Sequence, residues 1–224
     1  IETEFIYLIF LILTIMQSIA GVGVLVIGTP ALLSLNLNIV DVLFVLLPIS
    51  IFTSLLNLIY FNFFSKKKRA NIDKNFKKIF FLICIPSIFL GLLILRNFEN
   101  FINLKYIVSI VIISSILLTN KKNNLINFSS NFKLIYLFFT GIVHGITNSG
   151  GSLLSLFLST NQDKESSRFS ITFFYFFLAS FQFLIFVYVF GLSEFKFSKI
   201  ILALIVLAGV IIGNLLSKHF STGN

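Results

Sequence analysis

Few residues in this chain are equipped for chemistry, and they gather where glycine, serine, threonine and asparagine interrupt long apolar runs. One interruption runs from Gly21-Val22-Gly23 to Gly28-Thr29-Pro30, the other from Gly145-Ile146-Thr147 through Asn148-Ser149 to Gly150-Gly151-Ser152. Glycine lowers helix stability by about 1 kcal/mol and proline lacks a backbone donor, so a helix is expected to break or fold back at each place. A helix that restarts there presents unpaired N–H groups worth roughly half a positive charge, an environment suited to a small anion. The Gly28-Thr29-Pro30 and Ser149-Gly150-Gly151-Ser152 segments are expected to offer such ends facing each other. The plainer reading is that these small residues let helices pack closely.

Arg168 stands at the start of a later apolar run. Facing inward, its guanidinium would hold an oxyanion through two donors. At the interface it would snorkel to water or pair with Asp163 or Glu165. His144 lies within an apolar run, either as a titratable group on a pathway or as a histidine hydrogen-bonded between helices. Gln17, Asn57 and Gln182 read as interhelical hydrogen bonders rather than ligand contacts. The run Phe173 to Phe177 reads as a lipid-facing or packing surface. The candidate anion-binding residues are therefore Gly23, Gly28, Thr29, Pro30, His144, Asn148, Ser149, Gly150, Gly151 and Arg168.

Enzymatic chemistry is not expected, and neither is a metal or a cofactor. His144 lies on the same segment as Ser149, and a serine protease needs its base from another element. Metalloprotease, P-loop and paired-carboxylate signatures are missing from the sequence. Cys84 is the one cysteine, so it can form neither an internal disulfide nor a cysteine-based metal site.

The elements that must position these residues are set by hydropathy. The mean hydropathy is +1.02 and 11% of residues are charged, against roughly a quarter in a soluble domain. An all-α, polytopic transmembrane helix bundle follows. Seven apolar runs are visible: Phe5 to Ile27, Ile39 to Phe64, Ile79 to Leu95, Tyr106 to Thr119, Leu134 to Thr147, Phe169 to Leu192 and Ile200 to Leu216. The first, preceded by Glu2 and Glu4, reads as a retained span rather than a signal peptide. The net charge of +9 lies in short basic connections such as Lys66 to Lys78 and Lys121 to Lys133. These belong in the cytoplasm and point to membrane topology rather than nucleic acid. Strict alternation of seven crossings then puts the N-terminus in the cytoplasm as well.

An internal repeat is also legible. A shift of 122 residues lays Gly23 on Gly145, Gly28 on Gly150, Asp41 on Asp163 and Gly91 on Gly213. The expected organisation is a first repeat over 1–120, a cytoplasmic linker over 121–133, and a second repeat over 134–224. The second repeat lacks a partner for Tyr106 to Thr119, so an eighth helix is expected after residue 224. Four spans per unit make the halves parallel repeats related by an axis along the membrane normal.

With both glycine signatures and Arg168-Phe169-Ser170 in place, the chain resembles the sulfite exporter TauE/SafE family, also called the toluenesulfonate uptake permease family. The first signature, Gly21-Val22-Gly23 and then Thr29-Pro30-Ala31-Leu32-Leu33, is similar to that family's G-x-G and P-x-L-L stretches. The second, Gly141 to Gly151, is similar to its glycine-rich turn, and Arg168 to the arginine that opens its next long helix. The resemblance implies a secondary transporter of sulfite, an organosulfonate or a related sulfur oxyanion in the bacterial cytoplasmic membrane. It implies coupling to protons or sodium, with the bilayer as the other partner and oligomerisation left open. A transporter or channel for a non-sulfur anion such as a carboxylate is the alternative.

Overall fold

In hydrocarbon a chain this apolar can satisfy its backbone polar groups only by bonding within itself, and the helix does so segment by segment. The computed structural model describes residues 3–64, 74–98, 104–119, 130–159, 163–192 and 197–222. Lys66 to Arg69, Lys121, Lys122 and residue 224 lie outside the described residues. The regular elements are all helices: α1 (Thr3–Ala20), α2 (Val24–Ser34), α3 (Ile39–Phe64), α4 (Lys74–Ile79), α5 (Ile85–Phe98), α6 (Leu104–Thr119), α7 (Ser130–Thr147), α8 (Gly150–Leu158), α9 (Lys164–Phe190) and α10 (Lys199–Thr222). A π-helical turn, Phe80–Cys84, joins α4 to α5. Pro86 cannot donate to the carbonyl four residues back, and the turn before it widens so that the Ile85 N–H reaches Phe80. Among the described residues five helices are long and apolar enough to cross a membrane, and shorter apolar helices accompany them.

The run read as a single crossing from Phe5 to Ile27 is a hairpin. Val24 bonds the Gln17 side chain, and four residues later Gly28 packs on Leu13, so α2 travels back along α1. The second hairpin has the same form: Gly150 lies against His144 and Thr140, and further along Tyr136 bonds the Leu153 carbonyl. Each hairpin therefore ends at the side where it began.

The long helices fix the remaining directions. Gln17 bonds Ser50 and Ser54, and Ser18 accepts from Asn57, so α1 and α3 ascend together. Between α3 and α9 the contacts run in reverse, Phe61 on Phe169 and Phe44 on Phe183 and Phe186, so these two are antiparallel. Helices α3 and α9, which the 122-residue shift lays on each other, therefore do not share a direction as parallel repeats would require. Helix α1 begins beside the start of α3, at the far end from Phe64.

Two close helix contacts hold the hairpins in the bundle. Gly91 of α5 lies against Ile142 and Gly145 of α7, and Gly213 of α10 lies against Ile15 and Ser18 of α1. A Cβ on Gly145 would stand 2.8 Å from the Gly91 Cα and 2.9 Å from the Leu92 nitrogen. Gly145→Val should accordingly destabilise the bundle by about 1–3 kcal/mol through overpacking, read as a lower thermal midpoint of the purified protein in detergent. An unchanged midpoint would remove the α5–α7 contact as described.

Candidate functional site

At the first hairpin tip the chain reverses through Gly21 and Gly23. Gly21 has φ +82°, a conformation that disfavours any residue with a Cβ. A Cβ there would also stand 3.0 Å from both the Arg168 carbonyl and the Thr172 hydroxyl of α9. The tip is fastened by Gln17. Its Oε1 accepts from the Val24 N–H at 3.1 Å and from the Ser50 hydroxyl at 3.3 Å, while its Nε2 donates to the Ser50 carbonyl at 3.0 Å and the Ser54 hydroxyl at 2.9 Å. The next amide of α2, Leu25 N–H, donates to the Tyr175 hydroxyl at 3.3 Å. Side chains thus occupy donors that the first turn of a helix leaves free.

The second tip turns at Asn148, whose φ is +64°. Its N–H bonds the His144 carbonyl at 2.9 Å, and Gln182 donates to the same carbonyl at 3.1 Å. Helix α8 then begins at Gly150 with Ser149 as N-cap residue, though the Ser149 hydroxyl donates to the Thr147 carbonyl at 3.2 Å rather than capping the helix. The amides of Gly150 and Gly151 belong to the first turn and have no carbonyl behind them in the helix.

The two tips meet in the interior. Asn148 Nδ2 donates to Thr29 Oγ1 at 3.0 Å, joining residues 119 apart in sequence. The Tyr175 ring rests against the bare face of Gly151, where a Cβ would collide with it, and its centroid is 6.4 Å from that of His144. Thr29, His144, Asn148, Ser149 and Tyr175 are all fully buried. Both ring nitrogens of His144, Asn148 Oδ1 and Gln182 Oε1 are buried polar atoms with no partner among the described residues. Such atoms are few in a folded protein and each calls for a physical reason.

Of the ten residues expected from the sequence, the structure gathers Gly23, Thr29, His144, Asn148, Ser149, Gly150 and Gly151 around this junction. Gly28 and Pro30 are not part of a helix start, which corrects the expectation for that segment. They lie inside α2, which begins at Val24, and Gly28 serves to pack on Leu13 and Leu46. Gln17, Asn57 and Gln182 do bond between helices.

Arg168 sits about 10 Å back along α9 toward its start, seven residues before Tyr175 at the helical rise. It is 8% exposed and donates through Nη2 to Asn214 at 2.5 Å and through Nη1 to Ser217 at 2.7 Å, with its guanidinium 4.8 Å from the Phe61 ring centre. These partners are neutral. Asn214 continues to Asn57 at 2.8 Å, and Asn57 to Ser18 at 3.0 Å, so a polar chain links Arg168 to the end of α1.

Tyr175 is the site residue that sequence reasoning missed. The signal was present in the spacing: Arg168, Thr172, Tyr175, Ala179 and Gln182 recur at three and four residues and form one polar or small face of α9, all of it buried. Thr29→Val keeps the shape of that residue but strands the Asn148 amide, at a cost of about 1–3 kcal/mol, whereas Thr29→Ser keeps the bond. Thermal unfolding should separate the two variants; equal midpoints would mean that the junction contributes nothing to stability.

A protein-family model described as sulfite exporter TauE/SafE matches residues 6–223 of the chain. No curated protein and no solved structure compared with the chain matches it.

Proposed function

The chain belongs to the sulfite exporter TauE/SafE family, and from that premise we propose that it is a secondary transporter moving sulfite, an organosulfonate or a related sulfur oxyanion through the junction of its two hairpins. Members of the family are membrane transporters, and the apolar helices make this chain an integral membrane protein. The observation that carries the proposal is the Asn148–Thr29 bond at 3.0 Å, which ties the second helix break to the middle of α2 in the fully buried interior, with Val22 of the first break beside Gly151. Irregular backbone at membrane depth persists where it is covered by protein or lines a cavity, and in transporters such breaks coordinate the substrate.

In this reading the anion lies at the start of α8. The amides of Gly150 and Gly151 and the amide side chain of Asn148 donate to it, and the partial positive end of α8 supplies field without a fixed charge. Arg168, nearer the start of α9 than Tyr175, holds the positive potential that draws an anion from the side of the basic connections and through the Asn57–Asn214 chain. The basic connections mark the cytoplasmic side of a bacterial plasma membrane, which leaves the start of α1 outside.

Two repeats of inverted topology account for the helix directions. Helix α3 is equivalent to α9 and runs antiparallel to it, the α1–α2 hairpin is equivalent to α7–α8, and the Gly91 contact has its counterpart at Gly213. Rocking of one half against the other around a fixed site is the motion such repeats support. Full burial of the junction then corresponds to an occluded state.

Flux of sulfite, an organosulfonate and a carboxylate into proteoliposomes, with and without a proton or sodium gradient, tests the function. Sulfur-oxyanion flux that rises with a gradient is expected. Flux indifferent to both gradients would remove the coupled mechanism, and carboxylate flux alone would remove the substrate class. Arg168→Gln should lower the flux at least tenfold with the thermal midpoint within a few degrees of the parent, and Arg168→Lys should restore part of it. An unaltered flux in folded Arg168→Gln would confine Arg168 to a structural role.

A further inference from the structure

A second site lies on the outside of the bundle, away from the hairpins. Between α3 and α10 an apolar groove of about 530 Å³ opens on the outer surface of the bundle. Pro48, Phe52 and Leu56 line it from α3, and Ala203 and Leu207 from α10. On each helix these residues are spaced by four, so the groove runs along the helix axes. At its end, in the first turn of α10, stands Lys199.

The crevice between α9 and the helix ending in α5 shows what makes this groove unusual. There the corresponding space is full: Phe81 packs edge-on against Phe177 at 5.1 Å, Phe80 against Phe174 at 4.8 Å, and the ammonium of Lys77 lies 4.6 Å from the centre of the Phe173 ring. The groove between α3 and α10 is instead left open, with the small residues Ala203 and Pro48 in its walls and Lys199 exposed at its end.

We infer that the groove between α3 and α10 is a binding site for an anionic phospholipid of the bilayer, one acyl chain lying along Pro48, Phe52 and Ala203 and the headgroup phosphate on Lys199. The apolar walls suit a hydrocarbon chain and give a polar ligand nothing to bond. The volume falls in the range of sites that hold a small ligand. Lys199, the one cation among the described lining residues, sits at the helix end, where an ammonium reaches headgroup level. The occupant so defined needs a long apolar part and one negative end, which a bilayer phospholipid supplies. This inference does not depend on the transported anion.

Native mass spectrometry of the purified full-length chain, titrated with phosphatidylglycerol or phosphatidylcholine, tests it. The parent protein is expected to retain one phosphatidylglycerol in preference to phosphatidylcholine. Lys199→Gln should reduce that preference about fivefold, the worth of one lysine near an anionic surface, and Lys218→Gln, at the other end of α10, should leave it unchanged. Ala203→Phe should fill the groove and abolish retention of either lipid; because Lys199 is exposed, its variant keeps the inference testable if Ala203→Phe does not fold. Equal retention by the parent and folded Ala203→Phe, a preference untouched by Lys199→Gln, or a dimer that buries the groove against a second copy would each overturn it.

Discussion

Two reversals of backbone inside hydrocarbon impose the main constraint on this molecule. Each helix restart leaves amides without carbonyl partners, and no water is at hand to take them. At the first tip Gln17 solves this by using both ends of one side-chain amide, accepting from Val24 and donating to Ser50 and Ser54. That solution fixes α3 beside the tip. Tyr175 completes it from the opposite side and fixes α9. The closing helices must then approach very near to cover the hairpins, and glycines at 91, 145, 209 and 213 permit the approach. Fold and candidate site are in this sense one arrangement, since the side chains that satisfy the reversals are the ones that surround the junction.

Hydropathy made the helices legible, and the glycine clusters made the reversals legible, because both are local properties of the chain. Which glycine ends a helix was not. Gly28, beside Pro30, looked a better breaker than Gly21, yet its role is to admit Leu13 and Leu46. Proline within α2 removes one donor without ending the helix, since α1, α3, α6 and α8 pack around α2. Tyr175 was hidden by its phenylalanine neighbours and is recognised only when the face of α9 is read at helical period. The direction of the hairpins was invisible as well: an apolar run crossing once and a run doubling back have the same composition.

The register of the proposed repeat shows the same limit. In the structure the first turn takes three residues, Gly21 to Gly23, and the second takes two, Asn148 and Ser149, while α2 has 11 residues against nine in α8. Equivalent contacts on α1 and α7, such as Ser18 and Gly145, therefore differ by 127 positions, whereas Gly91 and Gly213 differ by 122. A single ungapped shift can match one pair or the other. It aligned Gly23 with Gly145, one a hairpin turn and the other a packing residue inside α7.

The tips also differ in what they leave unpaired, and that difference bears on where an anion is held. At the first, Gln17 and Tyr175 occupy the leading amides. At the second, the two ring nitrogens of His144 and one atom of the Asn148 amide have no partner among the described residues. The bond from Asn148 to Thr29 survives if that amide turns over, because a hydroxyl can donate as well as accept. In the turned orientation the amide oxygen takes the Thr29 proton and the NH2 group replaces the oxygen that has no partner among the described residues. The second hairpin can thus offer an anion several donors at no cost to the contact that holds the tips together, whereas the first would have to surrender a bond for each donor it gave. That asymmetry is the reason the proposed transport path places the anion on the α8 side of the junction, with the α1–α2 hairpin as the fixed frame.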